Sequence, residues 1–477
     1  MNAMSVTLIE PAATVGHLPI DAPPPGLFPM KLTPFERLML EDDHPGYPRI
    51  FKVVIEFEGC LQKDGFEFAL NAVIKRHPLL SAIVRRAGSN WFWYETAFPS
   101  EQIVWDHSEG EVLFGQFDLK TRPGFAASGS SDGVQSNLVL TFHHAVCDGQ
   151  GARRIILDWL TYYAAFVAPQ SNLPKIDRLN YERLTSRGSF NRQPSKQEEI
   201  APPGEPTTIW QRCKEIYGFL TQQPSSIRPA VPHPARRPRN ASHLVMSRFG
   251  SQQVDRFRER LQGTRFTLND IAIGLVLNSI AKWNRQFGET GKDRLYRILV
   301  PVDLREARDE VMPAANRMSM VFITRPTSIC LNWSELIKTI RDEMDYIEDH
   351  SCKFNLINAL PLIQSVPGLM PIGVRLPVCL STAILTNLGD TWRKVRRRFP
   401  DENGRPLVGN LRFMRAGGAP PIRRGTGLGL GLTFSLGELV IHGRFDSKLF
   451  SREHAEQFMN NFVDSWDRWS NSDSEFV

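Results

Sequence analysis

Alternating apolar and polar positions predict strands in both halves of the chain, and apolar positions at helical spacing predict helices between them. In the first half, strands are predicted at 50–58, 79–84, 91–94 and 136–142, and helices at 64–77 and 151–166. In the second half, helices are predicted at 266–287, 332–350 and 452–469, and strands at 296–304, 380–385 and 432–445, the last broken at Gly437. Strands that alternate with helices indicate an α/β fold.

Length and proline distribution divide the chain into two α/β halves. A chain of 477 residues exceeds the usual size of one hydrophobic core, which predicts two domains. Residues 1–30 are rich in proline and alanine and predict an irregular N-terminal segment. We then predict an N-terminal α/β subdomain over 31–170 and a C-terminal α/β subdomain over 243–477. Between them, residues 171–242 predict a proline-rich crossover with one helix near 208–220.

Composition and charge argue against several classes of protein. Hydrophobic residues make up 42% of the chain and charged residues 23%, which is typical of a globular protein. The net charge is +6, but the chain has no long stripe of Lys and Arg with interleaved aromatic residues, so we expect no nucleic-acid partner. The six cysteines are far apart and lack metal-ligand spacing, so we expect reduced thiols and no metal site.

The sequence also bears on the compartment. The N-terminus lacks a basic start followed by an apolar run, so we expect no signal peptide. The most apolar stretch, residues 371–388, contains Arg375, so we expect no membrane span. We therefore expect the protein to be cytoplasmic, and we expect it to be a monomer.

The loop sequence HHAVCDG, from His143 to Gly149, is the strongest candidate for chemistry. It follows one predicted strand and precedes one predicted helix, so a rigid scaffold can hold its histidines within reach of a substrate. Histidine has the side-chain pKa nearest neutral pH, and it can accept a proton from an attacking group and later return it. Asp148 could orient such a base, as in a Ser-His-Asp triad. Cys147 could act as a nucleophile, although a small buried filler is the simpler interpretation.

Together with several other segments, this loop resembles the HHxxxDG acyltransferase superfamily. The supporting segments are RHPLL at 76–80, TLND at 267–270, VPVDLR at 300–305, NRMSM at 316–320 and TNLG at 386–389. This superfamily includes chloramphenicol acetyltransferase, peptide-synthetase condensation domains, polyketide-associated acyltransferases and bacterial wax ester synthases. The resemblance implies two chloramphenicol-acetyltransferase-like α/β subdomains with mixed sheets, arranged in a V around a central tunnel. The DFGWG and Pro-Leu-Trp motifs of two branches are absent, so the branch stays open.

The resemblance implies separate roles within the loop. It makes His144 the general base, and it makes Asp148 a structural anion that pairs with an arginine rather than with the base. Arg305 is our first candidate for that arginine, and Arg76 is the second. Gly149 follows Asp148 where we expect the chain to turn sharply, a position that suits a residue without Cβ.

Five further residues are candidates for substrate binding. By resemblance, Thr386 and Asn387 lie near the active-site channel, where they could stabilise an oxyanion, although Asn and Gly also build ordinary turns. Gly427 and Gly429 belong to a period-two run of glycines that leaves one strand face bare. A pantetheine arm or acyl chain could lie on that face, and close packing is the equal alternative. His143 is the fifth candidate, with a structural role as the simpler interpretation.

These observations predict an acyltransferase of the kind that transfers groups other than amino-acyl groups. We expect the donor to be a thioester, either acyl-CoA or the phosphopantetheine thioester of an acyl carrier protein, as co-substrate with no other cofactor. We expect a small alcohol or amine as acceptor, and no acyl-enzyme. Two basic clusters, at 236–239 and 393–398, could dock the coenzyme A phosphates or an acidic carrier. The alternatives are a free-standing condensation enzyme that acts on carrier-bound substrates, and a non-catalytic module that binds acyl carriers.

Overall fold

Three β-sheets with helices packed against them form the described part of the molecule. The computed structural model describes residues 18–105, 116–169, 174–190, 222–230, 242–291, 293–376, 378–390 and 393–471. The predicted helix near 208–220, the basic cluster at 236–239 and most of the proline-rich segment lie outside these ranges. Two of the sheets contain both parallel and antiparallel strand pairs, so the predicted α/β class with mixed sheets is confirmed. The V arrangement and the tunnel stay predictions.

The regular elements follow one another through both halves of the chain. The strands are β1 (Met30–Lys31), β2 (Ile50–Glu58), β3 (Ala82–Ala87), β4 (Asn90–Glu95), β5 (Ile103–Trp105), β6 (Phe125–Ser131), β7 (Gln135–His143), β8 (Ser242–Phe249), β9 (Leu295–Asp303), β10 (Met318–Pro326), β11 (Ala383–Asn387), β12 (Asp401–Glu402), β13 (Arg405–Val408), β14 (Leu411–Gly417), β15 (Leu428–Ser435) and β16 (Glu438–Asp446). The helices are α1 (Pro34–Glu41), α2 (Lys63–Arg76), α3 (Gly149–Val167), α4 (Glu182–Thr185), α5 (Ser251–Leu261), α6 (Leu268–Gln286), α7 (Thr327–Cys330), α8 (Trp333–Asp349), α9 (Asn355–Ser365), α10 (Leu369–Arg375), α11 (Arg393–Arg398) and α12 (Arg452–Asn471).

One predicted strand, at 79–84, is wrong in its first part. A short 3-10 helix covers Pro78–Ser81, and the strand begins only at Ala82. Proline has a fixed φ that suits a helical start, and the Leu80 N–H donates to the His77 carbonyl at 2.9 Å. Leu79 and Leu80 are fully buried, so their apolar run imitates a buried strand.

The seven-stranded sheet combines strands from both ends of the chain. Its order is β12-β13-β14-β2-β7-β6-β5. Strands β5, β6, β2 and β7 come from the first half, whereas β12, β13 and β14 come from residues 401–417. β14 pairs antiparallel with β2, with Phe413 opposite Phe57. The C-terminal half therefore completes the sheet that carries the histidine loop, an exchange that the predicted boundary at residue 243 does not include.

The six-stranded sheet belongs to the second half. Its order is β10-β9-β11-β15-β16-β8, and β11 runs parallel to both of its neighbours. Helices α6, α8 and α12 contribute buried apolar residues to the core on this sheet. Helix α6 begins with a capping box, in which Thr267 and Asp270 each bind the other's backbone N–H, at 3.2 and 2.7 Å. The TLND segment is thus a helix start.

The seven-stranded sheet has its own core, with α2 and α3 packed against each other. Trp159 of α3 is fully buried and stacks on Tyr163 with ring centroids 5.2 Å apart. A Cβ on Gly65 of α2 would lie 3.0 Å from the Tyr163 ring, so this glycine permits the close approach of the two helices. The packing holds α3, and with it the end of the histidine loop, on the sheet.

Helices α9 and α10 form a bent apolar segment. No single helix of the described residues is long and apolar enough to cross a bilayer, but Cys352–Ser365 and Leu369–Arg375 meet that test together, bent by 117°. The segment is tied to α1 by a 2.7 Å hydrogen bond from Gln364 Nε2 to the Pro34 carbonyl. Leu369 and Ile372 are exposed on its surface.

Candidate active site

The histidine loop connects the end of β7 to the start of α3. Its first residue, His143, pairs with Ile50 of β2 at the end of the strand ladder. The His144 N–H donates to the Arg49 carbonyl at 2.7 Å. Asp148, near the end of the loop, is the N-cap of α3 and accepts the Gly151 N–H at 2.8 Å. Strand pairing at one end and helix capping at the other therefore fix the loop backbone.

His143 lies inside the protein. Its side chain is fully buried, and its Nδ1 accepts the Ala145 N–H at 3.1 Å. Its Nε2 lies 3.7 Å from an Asp43 carboxylate oxygen. These contacts favour the structural alternative over substrate binding.

His144 is half-buried and has few partners. Its Nδ1 is buried without a hydrogen-bond partner among the described residues, which leaves Nε2 as the nitrogen through which the ring can meet a substrate. Phe51 packs against the ring with centroids 5.2 Å apart. Burial, assisted by the nearby charge of Arg49, lowers the pKa of His144 to about 4, although its own backbone and the charge of Asp148 act in the opposite direction. The imidazole is therefore neutral at pH 7 and free to accept a proton.

Asp148 is saturated with hydrogen bonds. Arg305 binds both carboxylate oxygens through Nη1 and Nη2 at 2.9 Å each, and the Arg317 N–H donates to Oδ2 at 2.8 Å. With the bond from Gly151, the described contacts occupy both oxygens twice. Burial raises the pKa of Asp148, but Arg305 and the backbone donors outweigh it and hold the pKa below its usual value. The carboxylate thus caps a helix and joins the two halves of the chain.

The arginine that contacts Asp148 is Arg305, not the second candidate, Arg76. Arg305 also donates to the Ala315 carbonyl at 2.8 Å and to Asp303 at 3.1 Å. Arg76 is fully buried elsewhere, where it binds Asp158 at 2.7 Å. The RHPLL segment therefore belongs to a separate buried charge network.

Asn316 is a loop contact that the sequence argument missed. Its Nδ2 donates to the carbonyls of both His144 and Ala145 at 2.9 Å. Two neighbouring backbone carbonyls are thereby satisfied by one side chain from the other half of the chain. The NRMSM segment held the only signal for this contact, because Asn316 is its first residue.

Two glycines and a cysteine complete the loop. Gly149 has no left-handed φ, so the expected sharp turn does not require it; a Cβ there would lie 3.0 Å from a Leu388 methyl group. Gly151 is the more constrained position, because its Cβ would lie 2.9 Å from Cys147 and 3.0 Å from the Ala315 carbonyl oxygen. Cys147 is fully buried, and burial raises the pKa of its thiol well above the usual value. A buried, protonated thiol is a poor nucleophile.

The two residues at the end of β11 differ in availability. Asn387 Oδ1 accepts the Gly389 N–H at 2.9 Å, and Gly389 has a φ of 63°, so this side chain builds a turn. Thr386 is half-buried, on the strand that ends at this turn. Leu388 follows and contacts Gly149, which brings the turn beside the histidine loop. Thr386 thus stays a candidate for contact with substrate, whereas the Asn387 oxygen is occupied.

The glycine face of β15 is covered by the chain itself. A Cβ on Gly427 would lie 2.9 Å from Leu449, and one on Gly429 would lie 3.1 Å from Pro420. A Cβ on Gly431 would overlap the Gly418 carbonyl oxygen. The contacts therefore favour close packing over ligand binding at this face. The segment that connects β14 to β15 packs against Gly429 and Gly431, and no helix does so among these contacts.

Neither of the two best-defined cavities in the described ranges is lined by His144. The larger, of about 240 Å³, lies at the start of α3 and is lined by Gly151, Arg154, Arg305 and Glu310 among others. The smaller, of about 150 Å³, includes His143. Lys394 of the second basic cluster lines the larger cavity and lies 3.4 Å from Glu310.

Metal-binding geometry is not found in the described ranges. These residues contain no group of three or more His, Cys, Asp or Glu side chains that could hold a metal ion. The site as described therefore consists of one neutral imidazole on a loop held by an ion pair, an asparagine and two secondary-structure elements.

Sequence comparisons find distant relatives. No protein-family model matches the chain. Uncharacterized protein Rv2305 of Mycobacterium tuberculosis is 23% identical over 300 residues, which cover 58% of this chain and 62% of that protein. Vanchrobactin synthetase VabF of Vibrio anguillarum is 32% identical over 153 residues, which cover 28% of this chain and 5% of that protein. The matches thus span less than two thirds of the length of either relative.

Solved structures match nearly the whole chain. The starter condensation domain of rhizomide synthetase RzmA, solved in complex with C8-CoA, has a TM-score of 0.62 at 13% identity and covers 94% of this chain and 96% of that chain. The TRI3 trichothecene 15-O-acetyltransferase of Fusarium sporotrichioides has a TM-score of 0.60 at 11% identity and covers 94% of this chain and 98% of that chain. The chain therefore has the chloramphenicol-acetyltransferase-like fold that condensation domains share with this acetyltransferase.

Proposed function

We propose that this protein is an acyltransferase that moves an acyl group from a thioester donor to a hydroxyl or amine acceptor. The observation that carries the proposal is His144, a neutral imidazole with one accessible nitrogen on a loop whose backbone is held from both halves of the chain. The shared fold supports the same class of reaction. The donor would be acyl-CoA or an acyl carrier protein.

The proposed reaction is a direct transfer. The acceptor O–H or N–H gives its proton to Nε2 of His144 as its oxygen or nitrogen attacks the thioester carbonyl. The tetrahedral intermediate then collapses, the C–S bond breaks, and the imidazolium returns the proton to the leaving thiolate. An acyl-enzyme is unnecessary, and the protonated state of Cys147 supports its absence. Asp148 and Arg305 hold the loop that carries the base. Thr386 is the remaining candidate for stabilising the oxyanion.

A free-standing condensation enzyme is the second candidate. The 153-residue match to a peptide synthetase, VabF, favours it. In this variant both substrates would be carried on phosphopantetheine arms, and the product would be an amide. The base and the supporting contacts would be the same.

The test is product formation by the purified chain. Acyl-CoAs of graded length and acyl-loaded carrier protein are each incubated with a panel of alcohols and amines, and products are identified by mass spectrometry. We expect ester or amide product with at least one donor class, and loss of product in His144→Ala. Stable binding of loaded carrier protein without any product would instead indicate the non-catalytic module.

A further inference from the structure

Four cationic side chains from three parts of the chain lie near one another, and one of them, Arg49, adjoins His144. Arg49 precedes β2, and its carbonyl accepts the His144 N–H at 2.7 Å. Lys52 lies on β2, Arg423 on the segment between β14 and β15, and Arg444 on β16. We call these four residues the cation cluster.

Contacts among neighbouring groups connect the cluster. Asp42 lies between two of its members, 3.1 Å from Arg49 and 3.4 Å from Arg423. Arg444 Nη1 lies 3.5 Å from the carbonyl of Ile50, the residue that follows Arg49. Lys52 is close enough to Arg444 for the charge of that arginine to act on it. The four cations therefore share one small region, which adjoins the backbone of the histidine loop through Arg49.

The cluster has unused hydrogen-bond donors. Arg49 is 5% exposed and Arg444 is 9% exposed. Nη2 of Arg49, Nε of Arg423 and Nε of Arg444 are buried without a hydrogen-bond partner in the described ranges. Buried charged groups are normally paired and hydrogen-bonded. The described residues do not provide acceptors for these donors, so a bound ligand could provide them.

The described charges in this region do not balance. Asp42 pairs with Arg49 and Arg423, and Asp43 accepts the Arg49 N–H at 2.8 Å. No described carboxylate lies within 4 Å of Arg444 or Lys52, so two carboxylates face four cations. Mutual repulsion accompanies the burial. Burial and Arg444 lower the pKa of Lys52 to about 8, and burial and Arg49 lower the pKa of Arg444 to about 10. An anion bound here would relieve both effects.

Guanidinium groups match carboxylate and phosphate oxygens in geometry. The position beside His144 selects between these anions, because the long pantetheine arm keeps its phosphate far from the thioester carbonyl. The charge of Arg49 acts on the His144 ring, so a group bound at Arg49 would instead lie near the reacting centre. Lys52 and Arg423 are partly exposed, so the cluster is reachable from solvent.

We propose that the cation cluster is an anion subsite that binds a carboxylate of the acyl group or of the acceptor. This proposal rests on the proposed function, because it assigns a substrate class to the same site. It predicts that acidic substrates are preferred to their neutral analogues. It also supplies Arg444 with the counterion that is missing among the described residues.

The first test measures anion binding without turnover. Thermal unfolding is followed in low-chloride buffer with succinate, inorganic phosphate or neutral succinamide, and no acyl donor. At a hundred times its dissociation constant, succinate should raise the melting temperature by about 2–3 °C. Succinamide should have no effect, and Arg444→Met should abolish the succinate shift. Arg412→Met is the matched control, since Arg412 pairs with Glu58 and Glu402 on the surface and should leave the shift intact.

The melting temperature without ligand separates a binding role from a structural one. Because Arg444 is a buried cation with no counterion among the described residues, Arg444→Met should melt at or above the temperature of the natural chain. A lower melting temperature in this variant, with the succinate shift preserved, would show that Arg444 only supports the fold. A shift with phosphate and none with succinate would overturn the carboxylate assignment.

The second test identifies the source of the carboxylate. Acyl donors with and without a terminal carboxylate, and acceptors with a carboxylate or the corresponding amide, are compared by kcat/KM in the natural chain and in Arg444→Met. We expect at least a tenfold preference for one acidic partner, which the variant loses. Equal rates for acidic and neutral partners would contradict the subsite. If no pair reacts, the proposed function fails, while the binding test still decides on the subsite.

Discussion

His144 and Asp148 lie on the same short loop, yet their surroundings are opposite. Asp148 is 2% exposed and accepts hydrogen bonds at 2.8–2.9 Å from Arg305, Gly151 and Arg317. His144 is half-buried, and its described hydrogen bonds are made by its backbone, not by its ring. The Asp148 carboxylate therefore uses its hydrogen bonds to hold the fold. The His144 ring remains available to bond to a substrate.

The two arginines near the loop repeat this contrast. Arg305 is paired with Asp148 in a two-point contact, whereas Arg444 is buried without a described carboxylate partner. Removing a paired charge should damage the fold, and removing an unpaired one should not. The loop can therefore be tested by asking which substitutions change stability and which change chemistry.

The largest expected effect on stability is that of Asp148→Ala. The change leaves Arg305 without its main partner and removes the cap of α3, so the free energy of unfolding should fall by about 3–5 kcal/mol. Urea unfolding measures it. The double variant with Arg305→Met should recover part of the loss, because the orphaned cation is gone. A single variant as stable as the natural chain would refute the structural role of Asp148.

Asn316→Ala should have the next largest effect. It leaves the carbonyls of His144 and Ala145 without their shared donor, which should cost about 1–3 kcal/mol. Asn71→Ala, at an exposed position of α2, is the matched control for loss of an amide. We also expect kcat to fall in Asn316→Ala, since the loop that carries the base is less well held. Unchanged stability and rate would mean that Asn316 does not position the loop.

The pH dependence of stability should report on His144 directly. Its pKa is lowered to about 4 in the folded protein, against about 6.5 in the unfolded chain. The stabilisation linked to its neutral form is therefore present above pH 6.5 and is lost as pH falls towards 4, with a slope of at most about 1.4 kcal/mol per pH unit. His144→Gln cannot titrate and should show a shallower fall between pH 6.5 and 4. Identical slopes would place the pKa of His144 near its ordinary value.

Cys147→Ala should have the smallest effect. Removing one buried sulfur atom should cost about 1 kcal/mol of stability and leave kcat within about twofold. Because Cys147 and His144 lie on the same loop, comparing kcat of Cys147→Ala with kcat of His144→Ala separates loss of the base from general disturbance of the loop. Loss of turnover comparable to that of His144→Ala would restore the thiol nucleophile as a serious alternative.

The sequence predicts the local features of this molecule well. The strand at 50–58 has the predicted bounds, because its alternation records which face is buried. The strand-loop-helix context of the histidines follows from the same patterns. The resemblance also ranked Arg305 before Arg76 as the partner of Asp148, and Arg305 is the residue in contact.

The features that the sequence analysis missed depend on long-range placement. Strands β12, β13 and β14, at 401–417, join a sheet whose other strands lie at 50–143, and no local pattern encodes that pairing. Asn316 acts on backbone carbonyls, which have no residue identity to recognise. The cation cluster combines segments around residues 49, 423 and 444. These segments are far apart in the sequence, so no sequence motif indicates that they meet.

The most direct test of the account is the turnover of His144→Ala beside its folded stability. With any donor and acceptor pair that the natural chain converts, kcat should fall by about 10²- to 10⁴-fold, as expected when a general base is lost. The melting temperature should stay close to that of the natural chain, because the His144 ring has no described hydrogen bond to lose. A variant that turns over at the natural rate would contradict the central claim that His144 is the base.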